Sequence, residues 1–505
     1  MSSKTFGAFR HMEAIYEVHL GKAKCGLDLG DGSERAEYVD QDYILRKLGR
    51  PHRCVNIMYT LYPKDQQWPA RISKACADMD IKFQWDYPYD DYFPFGVDGQ
   101  PFEQMQDIRR HGQDVLLTLT VDCSLEDDYL RKVAAQFREY GRMWLRINHE
   151  CQGDWFTHNK RFSFEEIADF FVRFRGILKE EAPNVHVIFC AGFTNPDGTV
   201  ECEEAFRKAY EVADSWSADC YPALHYGWPY DVAEVGGGSY KCETVQENYR
   251  KFVKTYERLR KITGQDKFLA TAECNTDGDV TGPFHQGEAV VQFARIFKRH
   301  RAENWFGGIS MYQFRDRGRL GLEIEDPNNS GIGIEQPLLR AYRKILRDKY
   351  FMPEIRRGDE TAFPVRLRWG GSEDADGIEL DVKFKRRPEF CEVRFEKDAC
   401  LMIEFGGKWY FKAPGVETID LMDFFFDRPL VGRKTIPMRI FGTPATGKNP
   451  DTGAEDWNMN YYSVLQEAPV FRIRYKVPGR VGLFWRIYSW IFSNICKNKT
   501  AKKPS

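Results

Sequence analysis

The sequence predicts an α/β protein in which a (β/α)8 TIM barrel is followed by an all-β sandwich domain. Strand-length apolar runs alternate with helical patterns from residue 54 to about 345, and the alternation changes to period two beyond residue 360. The 505 residues also leave room for an appendage after a barrel of about 250 residues. We assign residues 1–350 to the barrel, 360–478 to the β-sandwich, and 479–505 to an aromatic amphipathic segment with a basic tail.

Eight apolar runs of strand length define the predicted barrel strands. Segments with helical periodicity, such as Phe164–Lys179, lie between them, and this alternation predicts βαβ units and a parallel sheet. A doubly wound open sheet is the competing architecture, but no glycine-rich phosphate loop follows an early strand. A ninth run, Cys25–Leu29, competes for the place of the first strand. The eight runs are Cys54–Thr60, Ile81–Tyr87, Val115–Val121, Met143–Asn148, Val187–Phe193, Ser215–Tyr221, Phe268–Glu273 and Gly307–Phe314.

The second half of the chain alternates apolar and polar residues one by one. Ile378, Leu380, Val382 and Phe384 are separated by charged residues, and a similar alternation recurs at 391–395 and 471–477. Period-two alternation with one polar face is typical of antiparallel strands. The sequence therefore predicts a β-sandwich here, acting either as a brace for the barrel or as a carbohydrate-binding module.

Composition excludes several classes of protein. The net charge of −2 gives no electrostatic basis for nucleic acid as the main partner. No CxxC pair or Cys/His zinc spacing occurs in the sequence, which has 13 cysteines. The N-terminus lacks the pattern of a signal peptide and no apolar run reaches the roughly 18 residues of a membrane span. We expect a cytoplasmic protein unless a signal has been removed.

The segment Val481–Cys496 is rich in aromatic residues and is followed by lysines. Three interpretations are open: it docks on the protein's own surface, it mediates self-association with a second subunit, or it lies on a membrane surface.

Two predicted strands end in glutamates. The fourth strand ends in Asn148-His149-Glu150, and the seventh ends in Glu273. Because the loops after the strands build the active site of such a barrel, these carboxyl groups are expected to face each other across its mouth. Paired carboxylates that flank one bond are the usual machinery for cleaving a glycosidic linkage. One of them must start protonated, which requires a raised pKa, and the other must start ionised.

The stretch around Glu150 resembles the acid/base motif of the clan A retaining glycoside hydrolases. It is closest to family 26, the β-mannanase and β-glucanase type, whose pattern is Arg-x-x-His-Glu-x-x-Gly-x-Trp. The resemblance implies that Glu150 is the general acid/base and Glu273 the nucleophile. We expect a retaining endo-β-glycanase that cleaves β-linked polysaccharide or oligosaccharide, such as β-glucan or β-mannan, by double displacement. This glycosidase function implies no metal and no organic cofactor. Cys274 and Asn275 replace the aromatic residue and glycine that commonly follow the nucleophile, which indicates a divergent family. The matching stretch reads Arg146-Ile147-Asn148-His149-Glu150-Cys151-Gln152-Gly153-Asp154-Trp155.

Several further residues are predicted to support catalysis or to bind sugar. Tyr221 resembles the tyrosine that donates a hydrogen bond to the nucleophile in this clan. Arg146 is expected to orient the nucleophile or balance charge, and His149 to bind a sugar hydroxyl or orient Glu150. The other substrate-binding candidates are Asn148, Trp155, Trp85, His225, Trp228 and Tyr312.

A non-catalytic carbohydrate-binding protein on a barrel scaffold is the alternative function. Such a protein would be expected to have lost one of the two glutamates, whereas both are present. A metal-dependent hydrolase would need several His and Asp ligands at strand ends, and the chain has only ten His.

Overall fold

The computed structural model describes nineteen segments of the chain, and every structural statement below concerns them. They are residues 15–19, 26–30, 38–50, 52–61, 100–111, 113–140, 143–153, 161–193, 200–226, 239–300, 305–316, 318–351, 354–358, 364–367, 377–427, 432–442, 463–475, 487–488 and 490–491.

Eight parallel strands close into a barrel, which confirms the predicted (β/α)8 fold. Each strand pairs with its sequence neighbours around the barrel, and the eighth pairs with the first. The sixth strand also carries a short antiparallel strand, Ser239–Cys242, on its far end. The barrel strands in chain order are Gly26–Gly30, Cys54–Leu61, Asp114–Val121, Met143–Ile147, Val185–Phe193, Ser215–Tyr226, Leu269–Thr276 and Phe306–Met311.

The competing run at Cys25–Leu29 supplies the first barrel strand, Gly26–Gly30. Cys54–Leu61 is therefore the second strand, and it pairs with Asp114–Val121 along its full length. The run Ile81–Tyr87 lies outside the described residues, and the barrel closes without it. Met143–Ile147 and Leu269–Thr276 are the fourth and seventh strands of the barrel, as the sequence predicted.

Helices cover the outside of the barrel, and some of them begin or end at recognisable caps. Ser163 and Thr244 each form a capping box with the glutamate three residues later, and Gly49 and Gly264 end helices in the left-handed conformation. Apolar helix faces and the outer faces of the strands form one continuous buried core. The helices are Gln41–Leu48, Gln100–Arg110, Asp127–Tyr140, Phe164–Glu181, Val200–Val212, Val245–Thr263, Gly278–Thr281, Pro283–Arg299 and Pro337–Leu346.

Antiparallel sheets with a separate core form the predicted β-sandwich. Ile378, Leu380, Val382 and Phe384 all point into this core, as their period-two spacing requires. The short helix Met422–Asp427 contributes Phe424 and Phe425 to the same core. One sheet has the order Glu354–Gly358, Ile15–His19, Gly377–Phe384, Lys434–Gly442, Leu401–Phe405 and Lys408–Lys412; the others are Thr418–Asp420, Phe390–Arg394 and Val470–Arg474, and Val365–Leu367 with Ser463–Leu465.

The chain crosses between its two halves more than once. The strand Ile15–His19 pairs with Glu354–Gly358 in the sandwich before the chain enters the barrel. Leu45 of the first helix packs against Met402 and Phe441 of the same sheet. A further small sheet, made of Arg315–Asp316, Glu323–Asp326 and Asn329–Glu335, follows the eighth barrel strand. Within the described part of the chain, no helix has both the length and the apolarity needed to cross a membrane.

Candidate active site

Three carboxyl groups meet where the barrel strands end. Oxygen atoms of Glu150, Asp219 and Glu273 lie within 4.8 Å of one another. Glu150 and Glu273 keep 7% and 6% of their surface exposed, whereas Asp219 has none. All three residues are buried, and only the two glutamates keep any exposed surface.

Glu273 lies in a β-bulge of the seventh strand. Between Ala270 and Cys274 this strand has one residue more than the sixth strand, and between Thr271 and Cys274 one more than the eighth. The Thr271 hydroxyl donates a hydrogen bond of 2.6 Å to the backbone carbonyl of Glu273 within the bulge. Since an extra residue bends a strand and redirects its side chains, the bulge sets the direction of the Glu273 carboxyl group.

Glu150 follows the fourth strand in a left-handed backbone conformation, with φ of 55°, and Asn148 has φ of 45°. This region is uncommon for residues other than glycine and costs roughly 1–2 kcal/mol per residue. The Glu150 backbone N–H donates to the carbonyl of Cys190, at 3.0 Å, in the fifth strand. That bond and the Asn148 side chain hold the turn in place.

Arg146 is the cation of the site and is fully buried. Its Nη2 donates to Glu273 Oε1 at 2.6 Å, and its Nη1 donates to Asp219 Oδ1 at 3.2 Å. Its Nε donates to the Thr118 hydroxyl at 2.9 Å, which in turn donates to Asn56 Oδ1. Because all three nitrogens of the planar guanidinium donate hydrogen bonds, its orientation is fixed. Arg146 therefore holds the carboxylates of Asp219 and Glu273 in place.

Two other side chains contact Glu273. The Tyr221 hydroxyl donates to Glu273 Oε2 at 2.9 Å, so each carboxylate oxygen of Glu273 accepts a hydrogen bond from a different residue. His149 Nε2 lies 3.7 Å from Glu273 Oε1. Burial, and then the charge of Glu273, raise the pKa of the Tyr221 hydroxyl well above its ordinary value, so Tyr221 remains a donor.

The charges of the cluster require one carboxyl group to keep its proton. Burial, followed by the charges of Glu273 and Asp219, raises the pKa of Glu150 well above its ordinary value. Burial and the charge of Glu273 also raise the pKa of Asp219, while Arg146 opposes that rise. Arg146 donates hydrogen bonds to Asp219 and Glu273, which favours a proton on Glu150, hydrogen-bonded to Asp219, over a proton on Asp219 itself.

The same three carboxyl groups are the only described cluster with the spacing of a cation site. Oxygen ligands of this kind suit a hard divalent cation. Here Arg146 already binds two of the three carboxyl groups, and the pKa of the third, Glu150, is raised, which favours its protonated form. The arrangement therefore favours a guanidinium and a proton over a metal ion.

The other predicted binding residues occupy different positions. Asn148 bonds through both ends of its amide to the backbone of Val121, at 2.6 and 2.9 Å, and so joins two strands. The Tyr312 ring packs edge-on against the Tyr221 ring, with 6.0 Å between centroids. His225 lies in the antiparallel extension of the sixth strand, where its backbone N–H donates to Asp277. Trp85, Trp155 and Trp228 lie outside the described residues.

Asp219 is the functional residue that the sequence analysis missed. It stands two residues before Tyr221 in the sixth strand, so the two side chains lie on one face of that strand. The sequence pattern that could have identified Asp219 is a charged residue two positions before a tyrosine that is predicted to face into the barrel. Asn275, which donates to the Tyr312 carbonyl at 2.5 Å, was noted only as a departure from the family pattern.

No family model and no curated protein matches the chain. Among solved structures, it is similar to an α-L-arabinofuranosidase from Thermotoga maritima (11% identity, 84% of this chain and 97% of that chain, TM-score 0.42). It is also similar to a family 26 β-mannanase from Bacteroides ovatus (12%, 65% and 90%, 0.41) and a glucosidase from Croceicoccus marinus (9%, 84% and 96%, 0.44). Sequence identities of 9–12% and TM-scores of 0.41–0.44 support no inference about the reaction.

Proposed function

We propose that the protein is a retaining glycoside hydrolase that cleaves β-linked polysaccharide or oligosaccharide by double displacement. The observation that carries the proposal is the pair of carboxyl groups of Glu150 and Glu273, whose oxygens lie within 4.8 Å of each other and of which Glu150 has a pKa raised well above its ordinary value by burial and then by the charge of Glu273. Retaining enzymes hold their two carboxyl groups about 5–5.5 Å apart, whereas inverting enzymes leave about 6.5–9.5 Å for a water molecule. The spacing here supports retention.

In the first step, the Glu273 carboxylate attacks the anomeric carbon from the face opposite the leaving group. The bond between that carbon and the glycosidic oxygen breaks, and the Glu150 proton passes to this oxygen as it leaves. A covalent glycosyl ester of Glu273 results. The hydrogen bonds from Arg146 and Tyr221 hold the carboxylate in one orientation for this attack.

In the second step, a water molecule attacks the anomeric carbon from the face that the leaving group vacated. Glu150, now a carboxylate, accepts the proton of the water, and the ester bond to Glu273 breaks. Esterification has removed the negative charge of Glu273, which is one cause of the raised pKa of Glu150. The pKa of Glu150 therefore falls as the ester forms. This fall favours loss of its proton in the first step and lets the resulting carboxylate act as the base in the second.

The proposal is tested with a panel of β-linked polysaccharides that includes β-glucans and β-mannans. We expect the full chain to release oligosaccharides from at least one of them. Proton NMR during the first minutes should show the β-anomer as the initial product, because two inversions restore the original configuration. An initial α-anomer would contradict the double displacement.

The matched variant for this panel is Glu150→Gln, which keeps the shape of the side chain and removes its acidic proton. General acid catalysis contributes about 10²–10⁴-fold, so the variant should lose about that factor on polysaccharide. It should lose far less on an aryl glycoside whose leaving group needs no proton. Binding without cleavage by the unmodified chain would favour the carbohydrate-binding alternative.

The Asp219→Asn variant is expected to move the basic limb of the kcat/KM profile to lower pH. The profile reports groups of the free enzyme, and its basic limb marks the loss of the proton from Glu150. The Asp219 charge, and its hydrogen bond to Glu150, raise the pKa of Glu150, so removing that charge lowers it. The measurement is a kcat/KM profile on an aryl glycoside whose hydrolysis needs the acid.

The control for Asp219 is Asp122→Asn. Asp122 is also a buried carboxylate at a strand end, but it pairs with Arg161 and lies outside the cluster. Its variant should leave the basic limb in place. A basic limb that is unchanged in Asp219→Asn would remove Asp219 from the proton-sharing pair.

A further inference from the structure

A groove lies between two neighbouring helices on the outer surface of the barrel. The helices are Pro283–Arg299 and Pro337–Leu346, and they pack so closely that a Cβ on Gly287 would lie 2.8 Å from the Ala341 Cβ. Beside this contact is an open cavity of about 660 Å³. None of the residues that line it belongs to the carboxyl cluster, so it is a separate feature of the barrel.

Three cations line the groove. Arg340 and Lys344 lie one turn apart on one helix, and Arg295 lies on the other. All three are exposed, and among the described residues none of them forms a hydrogen bond or a salt bridge. Asp348 interacts with the charge of Arg295, but the cation that it binds is Lys298, at 2.8 Å. The three cations therefore remain available to an anionic ligand.

The two acidic residues of the lining do not cancel this charge. Glu335 accepts a hydrogen bond from Lys47 Nζ at 2.7 Å. Glu288 lies 3.8 Å from His285 Nδ1 and about 10 Å before Arg295 along its helix. The groove thus has an excess of positive charge, although the whole protein has a net charge of −2.

Phe284 gives the groove an aromatic surface near one end. Its ring is 79% exposed and lies about 16 Å from Arg295 along the helix. The C–H groups on the flat face of a sugar ring suit the electron-rich face of an aromatic ring. A helical peptide would need several apolar anchors at helical spacing, whereas this lining adds only the half-buried Val291 and small residues to Phe284. The groove therefore favours a sugar chain over a peptide.

We propose that this groove binds an acidic polysaccharide, with carboxylate groups on the three cations and a sugar ring on Phe284. Arginine binds carboxylates through parallel hydrogen bonds, and lysine binds them as a point charge. The inference rests on the proposed function, because a second binding site raises the effective concentration of a polymer at the site that cleaves it. It narrows the substrate class to β-linked polymers that contain uronic acids.

The test compares oligosaccharides of β-linked mannuronic acid and of β-linked mannose, which differ only in the carboxylate group of each sugar. Both are titrated by calorimetry into the full chain carrying Glu273→Ala, so that cleavage does not consume them. We expect tighter binding of the acidic oligosaccharide. Adding Arg340→Gln with Lys344→Gln should weaken that binding about 10-fold or more and leave the neutral ligand unaffected, since a hydrogen bond to a charged group contributes about this factor. Phe284→Ser should also weaken it.

Matched controls come from exposed residues elsewhere. Lys254→Gln with Lys261→Gln removes two exposed charges from the helix Val245–Thr263, and Phe426→Ser removes a 70% exposed ring from the β-sandwich. Both should bind the acidic oligosaccharide as the parent chain does. Equal affinity for the two oligosaccharides, or an equal loss in the control lysine pair, would overturn the proposal. So would tighter binding of a glutamate peptide of the same charge, which would indicate an acidic protein as the ligand.

These outcomes are distinct from a failure of the proposed hydrolysis. A chain that releases no oligosaccharide from any polysaccharide, yet binds mannuronate through Arg340 and Lys344, would overturn the hydrolysis but not the glycan site. A chain that cleaves neutral β-glucan or β-mannan and shows no preference for mannuronate would overturn the glycan site alone.

Discussion

Glu273→Ala is expected to lower kcat by about 10⁵-fold or more, since removing a nucleophile from a two-step mechanism has effects of this size. The alanine also opens space beside the anomeric carbon that a small anion can occupy. Azide should therefore restore part of the activity on an aryl β-glycoside and give an α-glycosyl azide. The measurement is the rate of aryl release with and without azide, followed by NMR of the product.

The control for Glu273 is Glu323→Ala. Glu323 is likewise a buried carboxylate paired with an arginine, Arg315, at 3.0 Å, but it lies in the small sheet after the eighth strand. Its variant should lose stability and keep kcat, which separates the loss of a buried ion pair from the loss of the proposed nucleophile. A Glu273→Ala protein with nearly normal kcat would show that another group attacks the sugar.

Arg146→Met is expected to lower the stability of the barrel by about 3–5 kcal/mol, because it leaves buried carboxylates without their cation. Arg146 is fully buried and donates hydrogen bonds to Glu273, Asp219 and Thr118, all of which methionine would lose. The loss should appear as a lower urea midpoint of the barrel transition at an unchanged slope. It should shrink at acid pH, where protonation removes the uncompensated charge.

The matched variant for Arg146 is Arg207→Met. Arg207 pairs with Glu211 on an exposed helix face, where solvent screens the interaction. Its removal should leave the urea midpoint close to that of the unmodified chain. If Arg146→Met unfolds at the same urea concentration as the unmodified chain, the buried ion pairs do not stabilise the barrel.

The barrel and its two glutamates could be predicted because both depend on local pattern. Buried parallel strands read as apolar runs, and Glu150 and Glu273 interrupt such runs at their carboxyl ends. The first strand was ambiguous because Gly26–Gly30 is short and contains Asp28, whose carboxylate is buried against Arg53. The contact between Asp28 and Arg53, which are 25 residues apart in the chain, is a tertiary contact that no local sequence pattern reveals.

The details of the site were less accessible from the sequence. The bulge around Glu273 arises from register with two neighbouring strands, and a single strand's sequence does not state its register. Asp219 has its role because the barrel brings the sixth strand to Arg146 of the fourth, 73 residues away along the chain. The direction of the Glu273 side chain at the bulge and the ion pair between Asp219 and Arg146 both depend on how the strands pair in the closed barrel.

The left-handed backbone at Glu150 has a consequence for laboratory evolution of this protein. Glycine adopts that conformation without the steric cost of roughly 1–2 kcal/mol that most other residues meet there. A library screened for heat resistance alone will therefore enrich glycine at position 150, and its most durable members will lack the carboxyl group. Heat-resistant descendants that still act on substrate must gain their resistance elsewhere in the chain, so each round of screening needs a test of turnover beside the test of heat.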